Sequence, residues 1–163
     1  MPRIKSSVFG KIVANCKLKL LTNSCANDII ITQKGGATNV SKIGEINPKH
    51  FENIFLILTN DVIITEKQIE HIKKRHSGDY EMYSTYIPEI LKEPDYIIEA
   101  NKPNSVVLLK SFSENDKYFQ LILRLKTATE PKNYQNSVIS FWKIGENDLK
   151  RLIKNKKVLY KAE

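Results

Sequence analysis

The chain has few of the residues that stabilise secreted proteins or bind zinc. Its 163 residues include only two cysteines, Cys16 and Cys25, and their spacing fits neither a CxxC metal pair nor a dense disulfide framework. Cys16 falls on the apolar side of an alternating run, which predicts a buried free thiol. The scarcity of cysteine therefore predicts a reducing, cytoplasmic location, and no catalytic role follows for either thiol.

Long hydrophobic segments are also missing. No apolar run approaches the roughly 18 residues that a membrane-spanning helix needs, and residues 1–7 are too polar for a secretory signal. The sequence therefore predicts a soluble protein with no membrane partner.

Acidic residues are in the minority. The chain has 26 Lys and Arg against 18 Asp and Glu, which gives a formal net charge of +8 at pH 7. Such a surplus favours association with phosphate backbones and predicts a polyanionic partner, with RNA as the first candidate. A coding bias towards lysine is the alternative explanation of the same composition.

The apolar pattern predicts one α+β unit in two parts. Alternation over residues 10–21 is typical of a half-buried strand, residues 28–32 form a second β-rich run, and residues 35–39 are typical of a turn. We assign residues 1–42 to an N-terminal β extension and residues 43–163 to the main domain.

The main domain begins with helical patterns. The predicted segments are a short helix over residues 47–57, an extended piece over 62–64, and helices over 65–76 and 86–93. Thr65 and Gln68 have the spacing of a capping box, in which each residue satisfies a free backbone amide of the other.

A four-stranded antiparallel meander follows. Its predicted strands are residues 96–100, 105–111, 118–126 and 137–144. The first connections are too short for parallel crossovers, and residues 146–157 have the period of a last helix. The predicted fold is thus α+β, with N-terminal strands and helices packed on the meander and a C-terminal helix.

His76 is the candidate for proton transfer. It follows Lys74 and Arg75 at the end of a predicted helix, where an imidazole can exchange protons with a substrate hydroxyl near neutral pH. A purely structural role at the helix end is the alternative.

Three residues of the predicted meander share the same parity. Lys110, Arg124 and Ser140 are expected on one face of the sheet, where cations and a hydroxyl could stabilise a pentacoordinate phosphate. With His76, this set would suffice for metal-free RNA cleavage by the 2′-hydroxyl, which DNA lacks.

No cofactor and no metal are predicted. The histidines His50, His71 and His76 lack the spacing of a helical metal pair. Asp95 and Glu99 only faintly resemble the pattern of two-carboxylate nucleases, and their spacing differs from it. A metal-dependent DNA nuclease is therefore the third functional hypothesis.

Several short motifs lie between residues 43 and 142. They are Ile64-Thr65, His71-Ile72-Lys73-Lys74-Arg75-His76, Pro94-Asp95-Tyr96-Ile97-Ile98, Leu108-Leu109-Lys110 and Asn136-Ser137-Val138-Ile139-Ser140-Phe141-Trp142. Together they resemble the phage-type BECR nuclease domains, of the superfamily that groups barnase, EndoU, colicin D and RelE-like ribonucleases. Such domains often occur as modules of phage or mobile-element polyproteins.

The resemblance implies a metal-free ribonuclease site on the open face of a four-stranded sheet. The family's Arg-His pair falls on Arg75 and His76, its strand lysine falls on Lys110, and its last-strand hydroxyl falls on Ser140. The family usually has threonine at that last position, and serine keeps the hydroxyl.

The leading hypothesis is a metal-independent endoribonuclease that acts as a toxin or as a phage or mobile-element effector. The predicted catalytic residues are His76, Arg75, Lys110 and Ser140, and the predicted nucleic-acid-binding residues are Lys74, Arg124, Lys126 and Trp142. RNA is the expected partner, with a protein inhibitor or a phage component as a second. The alternative hypothesis is a non-catalytic module that keeps the same fold to bind RNA or a protein.

Overall fold

The structure, a computed structural model, describes residues 28–31, 38–113 and 116–163, which form an α+β fold. The strands are β1 (Asp28–Ile31), β2 (Thr38–Glu45), β3 (Asp61–Thr65), β4 (Tyr96–Glu99), β5 (Ser105–Phe112), β6 (Lys117–Arg124), β7 (Asn136–Ile144) and β8 (Val158–Lys161). The helices are α1 (Glu66–Arg75), α2 (Asp79–Tyr83), α3 (Ile87–Lys92) and α4 (Glu146–Asn155), with 3-10 turns at Pro48–His50 and Ser84–Tyr86. The strand predicted over residues 10–21 and most of the turn predicted over 35–39 lie outside the described residues.

The predicted meander strands are present as β4 to β7, each antiparallel to the next. The prediction of a four-stranded sheet is wrong, however. The described strands form one eight-stranded mixed sheet in the order β1-β2-β3-β7-β6-β5-β4-β8. The meander is therefore the centre of a larger sheet.

The N-terminal strands extend this sheet instead of packing on it. Strand β3 runs parallel to β7 and pairs with it at Val62↔Asn136 and Ile63↔Ser137, and β2 and β1 continue outward in antiparallel order. Strand β2 lies on both sides of the predicted boundary between residues 42 and 43. The sequence predicted a short extended segment at residues 62–64, but local sequence does not specify a partner that lies more than 70 residues away.

The C-terminal strand β8 was not predicted. Helix α4 ends at Asn155, and the chain then turns into an extended segment that pairs with β4 at Tyr96↔Lys161 and Ile97↔Tyr160. The lysines of residues 154–157 fit either an exposed helix face or an edge strand, so the helix was predicted two residues too long.

The helix predictions are mixed. The capping box of α1 is confirmed, because the Gln68 amide donates to Thr65 Oγ1 at 3.3 Å and the Thr65 amide donates to Gln68 Oε1 at 2.8 Å. The helix predicted over residues 47–57 is wrong, since only one 3-10 turn forms there before Phe51 enters the core. Helix α2 was not predicted, because Ser77-Gly78 indicated a loop.

The sheet has two different faces. Helices α1 to α3 cover the first, the α1–α3 face, whose buried core includes Ile72, Ile87, Leu108, Phe119 and Phe141. Helix α4 covers part of the second, the α4 face, through Leu149, Leu152 and Ile153 against Ile98, Val107, Leu109 and Ile144. Among the described residues, no helix is long and apolar enough to cross a membrane.

The buried side chain of Asn136 connects the two halves of the sheet. Its Nδ2 donates to the carbonyls of Thr59 at 2.6 Å and Asp61 at 3.1 Å, and its Oδ1 accepts from the amide of Lys126 at 2.7 Å. The residue is fully buried, so these bonds satisfy a carboxamide that water does not reach. One carboxamide thereby fixes the start of β3, the start of β7 and the end of β6.

We expect Asn136→Ala to lower the free energy of unfolding by about 2–4 kcal/mol, because three backbone groups lose the hydrogen bonds that they form with a fully buried carboxamide. Urea unfolding followed by circular dichroism measures this loss. Asn133→Ala is the matched control, since Asn133 is exposed in the preceding loop. A loss of less than about 0.5 kcal/mol in Asn136→Ala would show that the carboxamide is not a structural junction.

Candidate active site

The end of α1 lies against a free edge of the sheet. In the described residues, the pairing between β3 and β7 includes only Asn136 and Ser137 of β7. The rest of that β7 edge is left to other elements. The Asp79 carboxylate accepts a hydrogen bond from the Lys143 amide at 3.2 Å, in place of a neighbouring strand. Gly78, with φ of 83°, makes the left-handed turn that directs α2 towards this edge.

His76 occupies the turn between α1 and α2. Its amide donates to the Ile72 carbonyl at 2.7 Å and ends the helix. Its ring stacks on Trp142, with 4.4 Å between ring centroids and 4° between planes. Trp142 pairs with Gln120, which pairs with Leu109 on the α4 face. The imidazole therefore lies at the border of the α4 face.

The surroundings of His76 favour its neutral form. Partial burial lowers the pKa of His76 below the ordinary histidine value, and the positive charge of Arg75 and the neighbouring His71 act in the same direction. The carboxylate of Asp79 acts against them and raises the pKa. An imidazole whose pKa is lowered is largely uncharged at neutral pH and able to accept a proton.

Ser140 and Arg124 lie on the same face as Trp142. Ser140 pairs with Ile122, and Arg124, two residues further along β6, pairs with Ser137. The pairing shifts at this point, so that Ile139 is the extra residue of a bulge. Ser140 is buried, and its hydroxyl has no hydrogen-bond partner among the described residues. The prediction of a shared face is confirmed for Ser140 and Arg124.

Lys110 lies on the opposite face, and the prediction that it joins Arg124 and Ser140 is wrong. It pairs with Phe119, whose ring belongs to the core of the α1–α3 face. Its ammonium lies 3.1 Å from Asp95 Oδ1. The parity of residue numbers predicts a face only when the hairpin register is known, and this register pairs even residues of β5 with odd residues of β6.

The side chain of Arg124 is engaged by the loop after β6. Its Nη2 lies 2.9 Å from Glu130 Oε1, and its guanidinium lies 5.2 Å from the centroid of the Tyr134 ring. The hydrogen bond to Glu130 raises the pKa of Arg124 and leaves little net charge there. Arg124 Nε is buried and has no hydrogen-bond partner in the described part of the chain.

The other predicted cations differ in whether their charged groups are held by contacts within the protein. The ammonium of Lys126 donates a hydrogen bond to the Lys132 carbonyl and thereby holds the loop after β6. Lys74 and Arg75 are exposed on the last turn of α1, next to His76, and within residues 38–113 and 116–163 neither forms an ion pair. The structure thus brings Lys74, Arg75, His76, Trp142 and Ser140 to one region.

Sequence reasoning did not identify Gln120. This residue is 9% exposed and lies directly opposite Trp142. Ser105 and Ser137 are also buried, and their pairing with Arg124 places them on the α4 face. A glutamine between the apolar neighbours Phe119 and Leu121 was the available signal, because a buried polar side chain in a strand requires a partner.

The described residues contain no cluster of three or more His, Cys, Asp and Glu that could hold a metal ion.

The chain matches the model of a known family. Residues 37–161 match the model of the family PBECR2, described as phage-Barnase-EndoU-ColicinE5/D-RelE like nuclease2. The match includes every strand from β2 to β8 and all four described α-helices. No curated protein and no solved structure gives a significant match.

We expect the imidazole of His76 to titrate below the ordinary histidine pKa, and Trp142→Ala to raise this pKa because water then reaches the ring. NMR titration of the histidine side chains measures both effects. Trp142→Phe is the matched control, since it keeps a flat ring against His76 and should give a smaller rise. A His76 pKa that is unchanged in Trp142→Ala would contradict the role of the indole in burying the imidazole.

Proposed function

Because the chain belongs to the phage-Barnase-EndoU-ColicinE5/D-RelE like nuclease family, we propose that it is a metal-independent endoribonuclease. The single observation that carries this proposal is the stack of His76 on Trp142 at an edge of the sheet. The stack fixes the plane of the imidazole, whose pKa is lowered. The exposed cations Lys74 and Arg75 lie next to it on the last turn of α1. A family of nucleases and a positioned base together favour acid–base cleavage of a phosphodiester.

The cleavage step uses the nucleophile that RNA itself carries. Neutral His76 takes the proton of the 2′-hydroxyl, and the 2′ oxygen forms a bond to phosphorus. The bond from phosphorus to the 5′ oxygen breaks, that oxygen takes up a proton from water, and the hydroxide that remains recovers the proton held by His76. The products are a 2′,3′-cyclic phosphate end and a 5′-hydroxyl end, so atoms and charge balance without a metal ion.

The neighbouring side chains supply the remaining roles. Arg75 and Lys74 lie on the same turn as His76 and offer positive charge to the phosphate as its negative charge increases. The Ser140 hydroxyl donates to a phosphate oxygen. Trp142 has one ring face against His76, so any base that stacks on it uses the other face.

In the cell, this activity would make the protein a toxin or a phage or mobile-element effector that cleaves host RNA, with a protein inhibitor or a phage component as its second partner. The formal charge of +8 supports RNA binding, because a basic surface attracts the phosphate backbone over a distance.

A binding module without catalysis is the second candidate, and one observation favours it. The ammonium groups of Lys117 and Lys143 lie 5.3 and 6.0 Å from the centroid of the Tyr83 ring, on the α1–α3 face. Neither forms an ion pair with a described residue. Two cations beside one aromatic ring can stabilise the fold, and they can also bind the phosphates and a base of a nucleic-acid strand.

We expect His76→Ala to lower RNA cleavage by roughly 10²–10⁴-fold and to leave RNA affinity nearly unchanged, because the imidazole moves a proton and contributes little to binding. Single-turnover cleavage and fluorescence anisotropy of a labelled RNA measure the two quantities. His71→Ala is the matched control, since His71 is exposed on the same helix. Wild-type protein that binds RNA but releases no 2′,3′-cyclic phosphate ends would refute the enzyme and favour the binding module.

Cleavage should persist at an unchanged rate in excess EDTA, because the 2′-hydroxyl replaces a metal-bound water as nucleophile. An RNA with a single 2′-deoxy sugar at the scissile position is the matched substrate, and it should remain uncut. Loss of activity in EDTA that magnesium restores would instead support a two-carboxylate mechanism and direct attention to Asp95 and Glu99.

A further inference from the structure

A pocket of about 300 Å³ lies between α4 and the sheet, on the same face as Ser140 and Trp142. Its floor and wall are mostly apolar and include Ile98, Val107, Ile122, Ile139 and Leu152. A sheet on one side and a helix on the other form a slot with apolar surfaces, which suits a flat aromatic ligand.

Two buried polar side chains line this pocket, and the Ser105 hydroxyl donates to the Pro103 carbonyl at 3.3 Å, which leaves the carboxamide of Gln120 for a ligand. Gln120 lines the pocket and is 9% exposed, so more than nine tenths of the residue is buried. In the described part of the chain, its carboxamide has no hydrogen-bond partner. Its oxygen and nitrogen are not sealed from water, since Arg124 Nε is the side-chain polar atom that is buried without a partner in the described residues, so the Gln120 carboxamide is open to a ligand in the pocket.

The pocket adjoins the proposed active site. Gln120 lies directly opposite Trp142 on the neighbouring strand, and Ile122 lies directly opposite Ser140. Neighbouring strands are about 4.8 Å apart. A nucleotide whose phosphate contacts Ser140 can therefore place its base over Gln120 and Ile122.

The rim of the pocket is charged. Lys102 and Lys156 provide two ammonium groups, of which the second donates to Asn101 Oδ1 at 2.5 Å, and Glu99 provides one carboxylate. The cations suit the phosphates that flank a bound base, while the lining residues deeper in the pocket carry no charge. The pocket thus matches a base with its backbone at the rim.

We propose that this pocket binds one nucleobase of the RNA and that Gln120 selects adenine. A carboxamide presents a donor and an acceptor side by side, and adenine offers the complementary pair at N6 and N7. The identity of the ligand as part of an RNA substrate rests on the proposed function, whereas the pocket and its unpartnered carboxamide do not depend on it.

Binding of the four nucleoside monophosphates tests this pocket without any cleavage. We expect AMP to shift the backbone NMR signals of Gln120 and Ile122 and to bind about 5- to 150-fold more tightly than CMP or UMP, the range expected for one bidentate contact. Gln120→Leu keeps the size of the side chain and removes its hydrogen bonds, so it should abolish the preference for AMP. Gln135→Leu is the matched control, because Gln135 does not line the pocket.

The outcomes separate the pocket from the proposed activity. Equal binding of the four nucleotides by wild-type protein, or an AMP preference that survives in folded Gln120→Leu, would overturn the adenine pocket even if RNA is cleaved. Selective AMP binding by a protein that cleaves no RNA would support the pocket and refute the endoribonuclease. In the cleaving enzyme, Gln120→Leu should also remove the base preference next to the cut, with His76→Ala still inactive.

Discussion

The buried carboxamide of Asn136 is the interaction on which the rest of the structure depends. It joins backbone groups on either side of the short parallel contact between β3 and β7. Because that contact ends at Ser137, the remaining edge of β7 is available to the end of α1 and to Asp79. His76 reaches Trp142 only under this condition. A polar junction within the sheet thus helps to determine where the imidazole lies.

Much of the fold was predictable where the signal is local. The Thr65–Gln68 capping box and strands β4 to β7 depend on neighbouring residues or short hairpins, and both are present. The position of β3 beside β7 and of β8 beside β4 depends on pairings between distant segments, for which residue patterns give no register. The helix predicted over residues 47–57 is absent for another reason. Its apolar residues Phe51, Ile54, Phe55 and Leu58 have helical spacing, but Leu58 is 54% exposed and does not pack as part of a helix face would.

The candidate site shows the same division. Ser140 and Arg124 were correctly expected on one face, whereas Lys110 was placed there by residue parity alone. The register of the β5–β6 hairpin places Lys110 on the α1–α3 face. There the carboxylate of Asp95 forms an ion pair with its ammonium. The family resemblance pointed to His76, but its contact with Trp142 follows from the edge of β7 and not from any motif. Gln120 was overlooked because a single polar residue in an apolar strand carries no periodic signal.

The stack of His76 on Trp142 has a consequence for observing the protein in solution. Trp142 is the only tryptophan in the sequence, so the intrinsic indole emission of the chain arises from this one position. A protonated imidazole in contact with an indole quenches its emission, whereas a neutral one quenches it less. The fluorescence of the unlabelled protein is therefore an internal optical probe, which reads the charge on His76 and the arrival of any molecule that separates the two rings.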